Sequence, residues 1–246
     1  MSFPARFGAI LALVAGLGSA ASGDTLRDGT AAFSNGDDAT ATRLLGPLAD
    51  AGDPIAGCMV TVMRDRARGG IAYDIDGMAA TCIAAADGRP SAQLDLAGNY
   101  RTGLILQKDA VKAAQLYRLA AEQGLPVAEK VLGDLYAGGI GVKPDLASAC
   151  RWWGRAALQG ESGEAQRNFG NCYLSGTGVP RSEMQALAWL LIAKRNENQD
   201  TDGLPSWVFQ READADRLAA VLIQRLAADQ VAQAQALARS WRPKPE

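Results

Sequence analysis

Apolar residues along most of the chain recur at helical spacing. Small alanine and glycine residues lie three and four positions apart, with larger apolar side chains between them. This is the periodicity of amphipathic helices with one face suited to close helix approach. Polar and glycine-rich stretches interrupt the pattern at regular intervals and indicate turns. The pattern therefore predicts a succession of helices joined by short turns.

The helical pattern repeats every 36 or 37 residues. Four kinds of position keep this step: a glycine between two helices, an alanine soon after it, a tyrosine later in the same helix and an aromatic residue in the next helix. They are Gly88, Gly124 and Gly160; Ala92, Ala128 and Ala165; Tyr100, Tyr136 and Tyr173; and Tyr117, Trp153 and Trp189. Each unit reads as two antiparallel helices that bury their apolar faces only by stacking on neighbouring units. The expected fold is an all-α solenoid of stacked antiparallel helix pairs.

Two glycine-rich turns recur within this repeat, in LYAGGIGVKPD and CYLSGTGVPRS. Asp145 and Ser182 follow them in the position of helix N-caps. A glycine-rich loop that cradles a phosphate would follow a β-strand, and no strand–loop–helix pattern is present. We interpret these loops as the corners of a structural repeat.

The segment LGDLYAGGIGVKPDLASACRWWGRAALQG, residues 132–160, resembles a Sel1-like repeat, a relative of the tetratricopeptide repeat. Residues 128–160 carry the family pattern almost completely and residues 165–193 carry it well. Residues 92–124 lack the second turn glycine, and residues 39–88 depart from the pattern at the turn. The resemblance covers about 170 residues and implies a Sel1-like, TPR-like superhelix.

The pattern divides the chain into four segments. Residues 1–21 combine a single charge, Arg6, with an apolar run and small residues, which predicts a signal peptide cleaved near Ala20 and Ala21. The other segments are N-terminal capping helices (22–52), Sel1-like repeats (53–195) and a C-terminal loop with capping helices (196–246). An uncleaved N-terminal anchor is the alternative for the first segment. After cleavage we expect a periplasmic or secreted protein with no transmembrane segment in the mature chain.

Charge and composition restrict the partners. The chain has 25 Lys and Arg against 27 Asp and Glu, and it has no histidine. No concentrated basic face is available for nucleic acid, and no polybasic helix for a membrane surface. We expect a protein or peptide partner of unknown identity, and a monomer.

The four cysteines fit helical hairpins. Cys150 and Cys172 are nearly equidistant from the turn at Gly160, and the midpoint of Cys58 and Cys82 also falls in a turn. Residues equidistant from a turn face each other in an antiparallel pair, so of the three pairings we expect Cys58–Cys82 and Cys150–Cys172. A zinc site or a nucleophilic cysteine is disfavoured by the spacing and by the absence of histidine.

No catalytic, cofactor-binding or metal-binding residue can be assigned. Histidine, the commonest general base, is absent, and the carboxylate pairs Asp37–Asp38 and Asp214–Asp216 do not converge on a helix. A catalytic Ser–Lys arrangement stays open as an alternative, although no motif in the sequence locates one. The family resemblance implies one enzymatic alternative, a penicillin-binding or weak β-lactamase-like protein.

The first helices of stacked units line a continuous surface that commonly binds peptides or proteins. We expect Ala128, Leu132, Leu135 and Tyr136 to point inward, and Glu129, Lys130 and Asp134 outward. Trp152 is an additional aromatic residue that either fills a groove between helices or anchors a partner. The predicted partner-binding residues are Gln93, Glu129, Lys130, Asp134, Trp152, Arg167 and Asn171.

The leading hypothesis is thus a non-enzymatic periplasmic or secreted interaction scaffold that binds its partner on the concave face. The resemblance implies roles that include regulation of a sensor kinase, envelope assembly or host-protein binding. The alternatives are the penicillin-recognising enzyme and a module that binds a second copy of itself.

Peptide mapping of the purified protein without reductant should yield two linked pairs, Cys58–Cys82 and Cys150–Cys172. The hairpin register brings each pair within the Cα separation that a disulfide needs. A Cys58–Cys150 or Cys82–Cys172 link would show that the predicted hairpin register is wrong.

Overall fold

The structure, a computed structural model, describes residues 20–68, 74–160, 162–197 and 206–244. These residues form twelve α-helices and no β-strand. The helices are α1 (Ala20–Ser34), α2 (Asp38–Asp50), α3 (Pro54–Ala67), α4 (Ile75–Ala86), α5 (Pro90–Thr102), α6 (Ala110–Glu122), α7 (Pro126–Gly138), α8 (Leu146–Gln159), α9 (Gly163–Ser175), α10 (Glu183–Glu197), α11 (Ser206–Arg225) and α12 (Ala228–Ser240). None of the helices in this part of the chain is long and apolar enough to cross a membrane.

The helices stack in chain order. Each helix from α1 to α10 packs against the next one, and both α11 and α12 pack on α10. Small residues dominate these interfaces, with Ala113, Ala120 and Ala121 buried on α6. Alanine lets helix backbones approach closely, so each pair buries its apolar face against its neighbours. The predicted all-α solenoid is confirmed.

The glycine-rich corners are structural. Gly139 and Gly141 between α7 and α8 have φ of 65° and 70°, a left-handed conformation that glycine adopts without strain. Gly141 lies so close to the carbonyl group of Ala110, at the start of α6, that a Cβ atom would overlap it. Asp145 then caps α8 by accepting hydrogen bonds from Ala147 N and Ser148 N. The corner between α7 and α8 thus packs closely against the start of α6 in the preceding repeat.

Both cysteine pairs lie at disulfide distance. Cys58 on α3 is joined to Cys82 on α4 with a Cα–Cα separation of 6.0 Å, and Cys150 on α8 is joined to Cys172 on α9 at 5.9 Å. All four side chains are buried. The arrangement fits the pairing that the hairpin geometry predicts.

The structure changes two details of the sequence interpretation. Helix α10 continues through Asn196 and Glu197, which the sequence pattern assigned to a loop. Counting from the N-caps Asp145 and Ser182 puts Trp189 in the register of Trp152, not of Trp153. The predicted signal peptide, apart from its last residues Ala20 and Ala21, and most of the predicted C-terminal loop lie outside the described residues, so these boundaries stay predictions.

Gly133→Ala should lower the free energy of unfolding by about 2 kcal/mol. A Cβ atom at this position on α7 would come 2.5 Å from Trp153 Cδ1, too close for the packed ring to tolerate. Urea unfolding monitored by circular dichroism measures the change.

Gly98→Ala on α5 is the matched control for this variant. A Cβ atom there meets nothing within 4 Å, so alanine should stabilise the helix by about 0.5–1 kcal/mol. If both substitutions stabilised the protein equally, the packing of Trp153 on Gly133 would leave room for a Cβ atom, contrary to the prediction.

Candidate functional site

The first helices of three repeats, α5, α7 and α9, each leave one stripe partly or fully exposed. The stripe follows positions spaced four, three and four residues apart, which lie on one side of a helix. We call these twelve residues the first-helix face: Ser91, Asp95, Gly98 and Thr102; Val127, Val131, Asp134 and Gly138; Glu164, Asn168, Asn171 and Ser175. Most of its side chains are small or polar, so the surface is shallow and rich in hydrogen-bonding groups.

A ladder of polar pairs, each with one buried member, links the first and second helices of these repeats. Gln123 at the end of α6 donates through Nε2 to Gln93 Oε1 at 2.8 Å, and Gln93 Nε2 lies 3.4 Å from the carbonyl oxygen of Ala85. Two repeats later, Asn196 Nδ2 donates to Gln166 Oε1 at 2.9 Å, and Gln166 Nε2 donates to Ala157 O at 3.3 Å. Each pair joins the start of a first helix to the end of the following second helix.

Glu129 occupies the middle position of this ladder. It is fully buried, with 0% of its surface exposed. Gln159 Nε2 donates to its Oε2 at 3.0 Å, as the amide pairs do in the other repeats. Arg155 Nε lies 2.7 Å from its Oε1 and supplies the positive charge that a buried carboxylate requires. The prediction that Glu129 points outward is wrong, because this position belongs to the polar ladder.

Lys130 and Asp134 belong to an ion-pair network between α7 and α9. Lys130 Nζ lies 3.0 Å from Asp134 Oδ2 and 2.6 Å from Glu164 Oε2. Burial alone would lower the pKa of Lys130, but the hydrogen bonds to Glu164 and Asp134 outweigh it, and the pKa is raised. Trp153 Nε1 also donates to Asp134 Oδ1 at 3.0 Å. Both residues are only partly exposed, and their charges are largely engaged within the protein.

The other predicted partner-binding residues have different environments. Gln93 and Arg167 are buried, at 4% and 9% exposure, so the expectation that they face a partner is wrong. Trp152 is partly buried against the core, and Arg155 lies over its ring at 4.9 Å. Leu116 and Trp189, which occupy the same register, are buried. Trp152 therefore fills a groove between helices, one of the two roles considered for it.

Asn171 is the one predicted partner-binding residue that is exposed and not buried or partly buried. Its side-chain amide and that of Asn168, three residues earlier on α9, make no hydrogen bond to any other described residue. Sequence reasoning missed Asn168, although its spacing of three from Asn171 marks the same helix side. Among the residues that the structure covers, no cluster of three or more metal-ligating side chains is found.

Glu129→Gln should change the free energy of unfolding by about 1 kcal/mol or less. The amide keeps the bond from Gln159, removes a buried charge, and can donate to a backbone carbonyl as Gln93 and Gln166 do. Glu129→Leu leaves Gln159 and Arg155 without their partner and should cost about 3 kcal/mol. Urea titrations of the two variants test this. If both variants lowered the free energy of unfolding equally, the charge of Glu129 would matter more for stability than its hydrogen bond with Gln159.

The chain is similar to one family model and to solved structures. The Sel1 repeat model matches residues 90–125, 126–161 and 163–198. A Sel1 repeat protein from Oxalobacter formigenes is 30% identical, with a TM-score of 0.46, and the match covers 56% of this chain and 98% of that chain. A protective antigen of uropathogenic Escherichia coli with an SLR fold is 24% identical, with a TM-score of 0.45. That match covers 91% of this chain and 54% of the antigen.

No curated protein matches the chain. Sel1 repeat proteins generally act as scaffolds for protein–protein interaction. The matched repeats coincide with the helix pairs α5–α6, α7–α8 and α9–α10. The chain belongs to the Sel1 repeat family.

Proposed function

We propose that the protein is a non-enzymatic periplasmic or secreted scaffold that binds an extended segment of a partner protein along the first-helix face. The observation that carries this proposal is the pair of side-chain amides of Asn168 and Asn171, which make no hydrogen bond to any other residue that the structure describes. An extended peptide offers one backbone N–H and one C=O per residue, and an asparagine side chain can pair with both. The two side chains lie on one side of α9, next to the equivalent stripe of α7.

The charges on the first-helix face favour a neutral or basic segment. Asp95, Asp134 and Glu164 are the charged members of the first-helix face, and Lys130, which contacts Asp134 and Glu164, lies outside it. The face therefore carries more negative than positive charge. A basic segment would gain long-range attraction, and an acidic one would be repelled.

The disulfides support an extracytoplasmic location. Disulfides persist mainly in oxidising compartments and are rare in the cytosol. Both cysteine pairs are at bonding distance and buried, and together they brace the α3–α4 and α8–α9 hairpins. The predicted signal peptide agrees with this location, and its cleavage stays a prediction.

The other functional hypotheses have less support. No lysine amine hydrogen-bonds to a serine hydroxyl within the described ranges, so the structure offers no observation in favour of a penicillin-recognising site. Hydrolysis of a chromogenic β-lactam by the purified protein would establish such an activity. Binding to a second copy of the chain would appear as a dimer in light scattering.

In-cell photocrosslinking should give a specific product when the photoreactive residue replaces Ser175, an exposed member of the first-helix face, because both asparagine amides are then kept. Ser175 is a better position than Glu129, Arg167 or Trp152, since those side chains are buried or partly buried. Gln115, exposed on α6, is the control position, because it lies on a second helix. Mass spectrometry of the crosslinked product identifies the partner or shows it to be a second copy.

Asn168→Ala, combined with the probe at position 175, provides the specificity test. Loss of a hydrogen bond worth about 1 kcal/mol should weaken binding about fivefold and reduce the crosslink accordingly. A product that forms equally well from position 115, or that is insensitive to Asn168→Ala, would contradict binding on the first-helix face.

A further inference from the structure

A separate pocket lies on the side of the second helices, between α6 and α8. It has a volume of about 570 Å³ and is lined by Arg118 of α6, Tyr136 of α7, Ser148 of α8 and the corner residues 142–145. Small-ligand sites have volumes of about 300–1,000 Å³, so this pocket is large enough for a side chain or a chain end of a partner. It lies away from the first-helix face, so the inference below does not rest on the proposed function.

Arg118 lines this pocket, and its guanidinium group contacts no carboxylate among the residues that the structure describes. Its Nη2 donates to the Tyr136 hydroxyl oxygen at 2.5 Å, and its Cζ lies 5.8 Å from the centre of the Tyr136 ring. No described carboxylate forms an ion pair with it. Lys130 and Arg155, which are also partly buried cations, each contact a carboxylate. Arg118 is therefore held in place by tyrosine, with its remaining N–H donors available.

Further donors face the same space. Lys143 is exposed at the corner and makes no ion pair with the rest of the described chain. The Tyr136 hydroxyl accepts from Arg118, which leaves its own hydrogen to be donated. Val142 and Pro144 add apolar surface to the wall. The pocket thus combines two cations and a hydroxyl donor with an apolar contact.

Asp145 is the acidic residue of the lining, and its oxygens are already used. Its carboxylate accepts from Ala147 N, Ser148 N and the Ser148 hydroxyl. The hydrogen bonds from the Ser148 hydroxyl and backbone lower the pKa of Asp145, so the carboxylate keeps its charge. Arg151 Nη2 donates to Ser148 Oγ at 2.7 Å and is engaged with this cap. With the two cations Arg118 and Lys143 and the one carboxylate of Asp145, the lining carries a net charge of about +1, which matches an anion with a single negative charge.

We propose that this pocket binds a single carboxylate of a peptide, with Arg118, Lys143 and the Tyr136 hydroxyl as donors and with Val142 and Pro144 against the neighbouring apolar chain. The planar guanidinium group matches a carboxylate in shape and can form two parallel hydrogen bonds. The carboxylate belongs either to an acidic side chain or to the end of a chain, since both present the same two oxygens.

Nuclear magnetic resonance of the full chain tests the proposal with short peptides. The probes are Ac-Ala-Leu-Ala with a free C-terminal carboxylate, Ac-Ala-Glu-Leu with an amidated end, and Ac-Ala-Gln-Leu with an amidated end as the neutral control. We expect saturable shifts of the Arg118 Nε–H and Tyr136 ring signals with one or both carboxylate peptides, and none with the neutral peptide. The peptide that binds more tightly identifies the source of the carboxylate.

Arg118→Gln and Lys143→Gln should each raise the dissociation constant of the peptide, measured from the Tyr136 shift, about tenfold. This is the effect of losing one charge-assisted hydrogen bond. Lys143 is exposed, so its variant tests the site without risk to folding. Lys108→Gln, an exposed lysine of the preceding corner, is the matched control and should leave binding unchanged. Asn168→Ala should also leave it unchanged, which separates this proposal from the first-helix face.

Four results would overturn the assignment. The first is the absence of saturable shifts with either carboxylate peptide. The second is an equal response to the neutral peptide, and the third is an equal loss of binding in Lys108→Gln. The fourth is a stronger shift of Tyr136 with inorganic phosphate than with either peptide, which would make the pocket a site for phosphate and not for a carboxylate.

Discussion

The buried polar ladder links each first helix to the second helix that follows it. Gln93 pairs with Gln123, Glu129 with Gln159 and Gln166 with Asn196, and each pair spans thirty residues. Apolar contacts between alanine-rich helices tolerate sliding, whereas a buried polar pair loses its hydrogen bond if the register shifts. In a stack where helices contact mainly their neighbours, a register set within each unit is passed along the array.

Helix ends and hairpins could be predicted because their causes are local in sequence. Asp145 caps α8 through backbone groups two and three residues away, and Gly139 ends α7 in a left-handed conformation. The cysteine positions needed only the number of residues on each side of a turn. The 36-residue step then follows from stacking, since equivalent residues must occupy equivalent places in each unit.

The environment of the polar residues was harder to predict, because a charged residue on a helix is usually assigned to its solvated side. As a charged residue, Glu129 is expected on the solvated side. Its position in the repeat, however, is a buried one. Its equivalents, Gln93 and Gln166, show that the position carries a side chain able to accept a buried hydrogen bond. That signal is present in the repeat, but it appears only when the three units are aligned. Arg155 is the compensating change, since Leu119 and Ile192 stand at its position in the neighbouring units.

The replacement of glutamine by glutamate in one unit also shapes the surface. Glu129 forms an ion pair with Arg155, and Glu164 and Asp134 form ion pairs with Lys130. The charges between α7 and α9 are therefore largely balanced within the protein. What remains for recognition on the first-helix side is the amide chemistry of Asn168 and Asn171 and the negative charge of Asp95, Asp134 and Glu164. On the second-helix side, Arg118 lines a pocket, whereas the equivalent residue of the next unit is Gly154, which packs closely against Phe169. A stack with one register can therefore carry two chemically different surfaces, since residues outside the ladder vary from unit to unit without disturbing it.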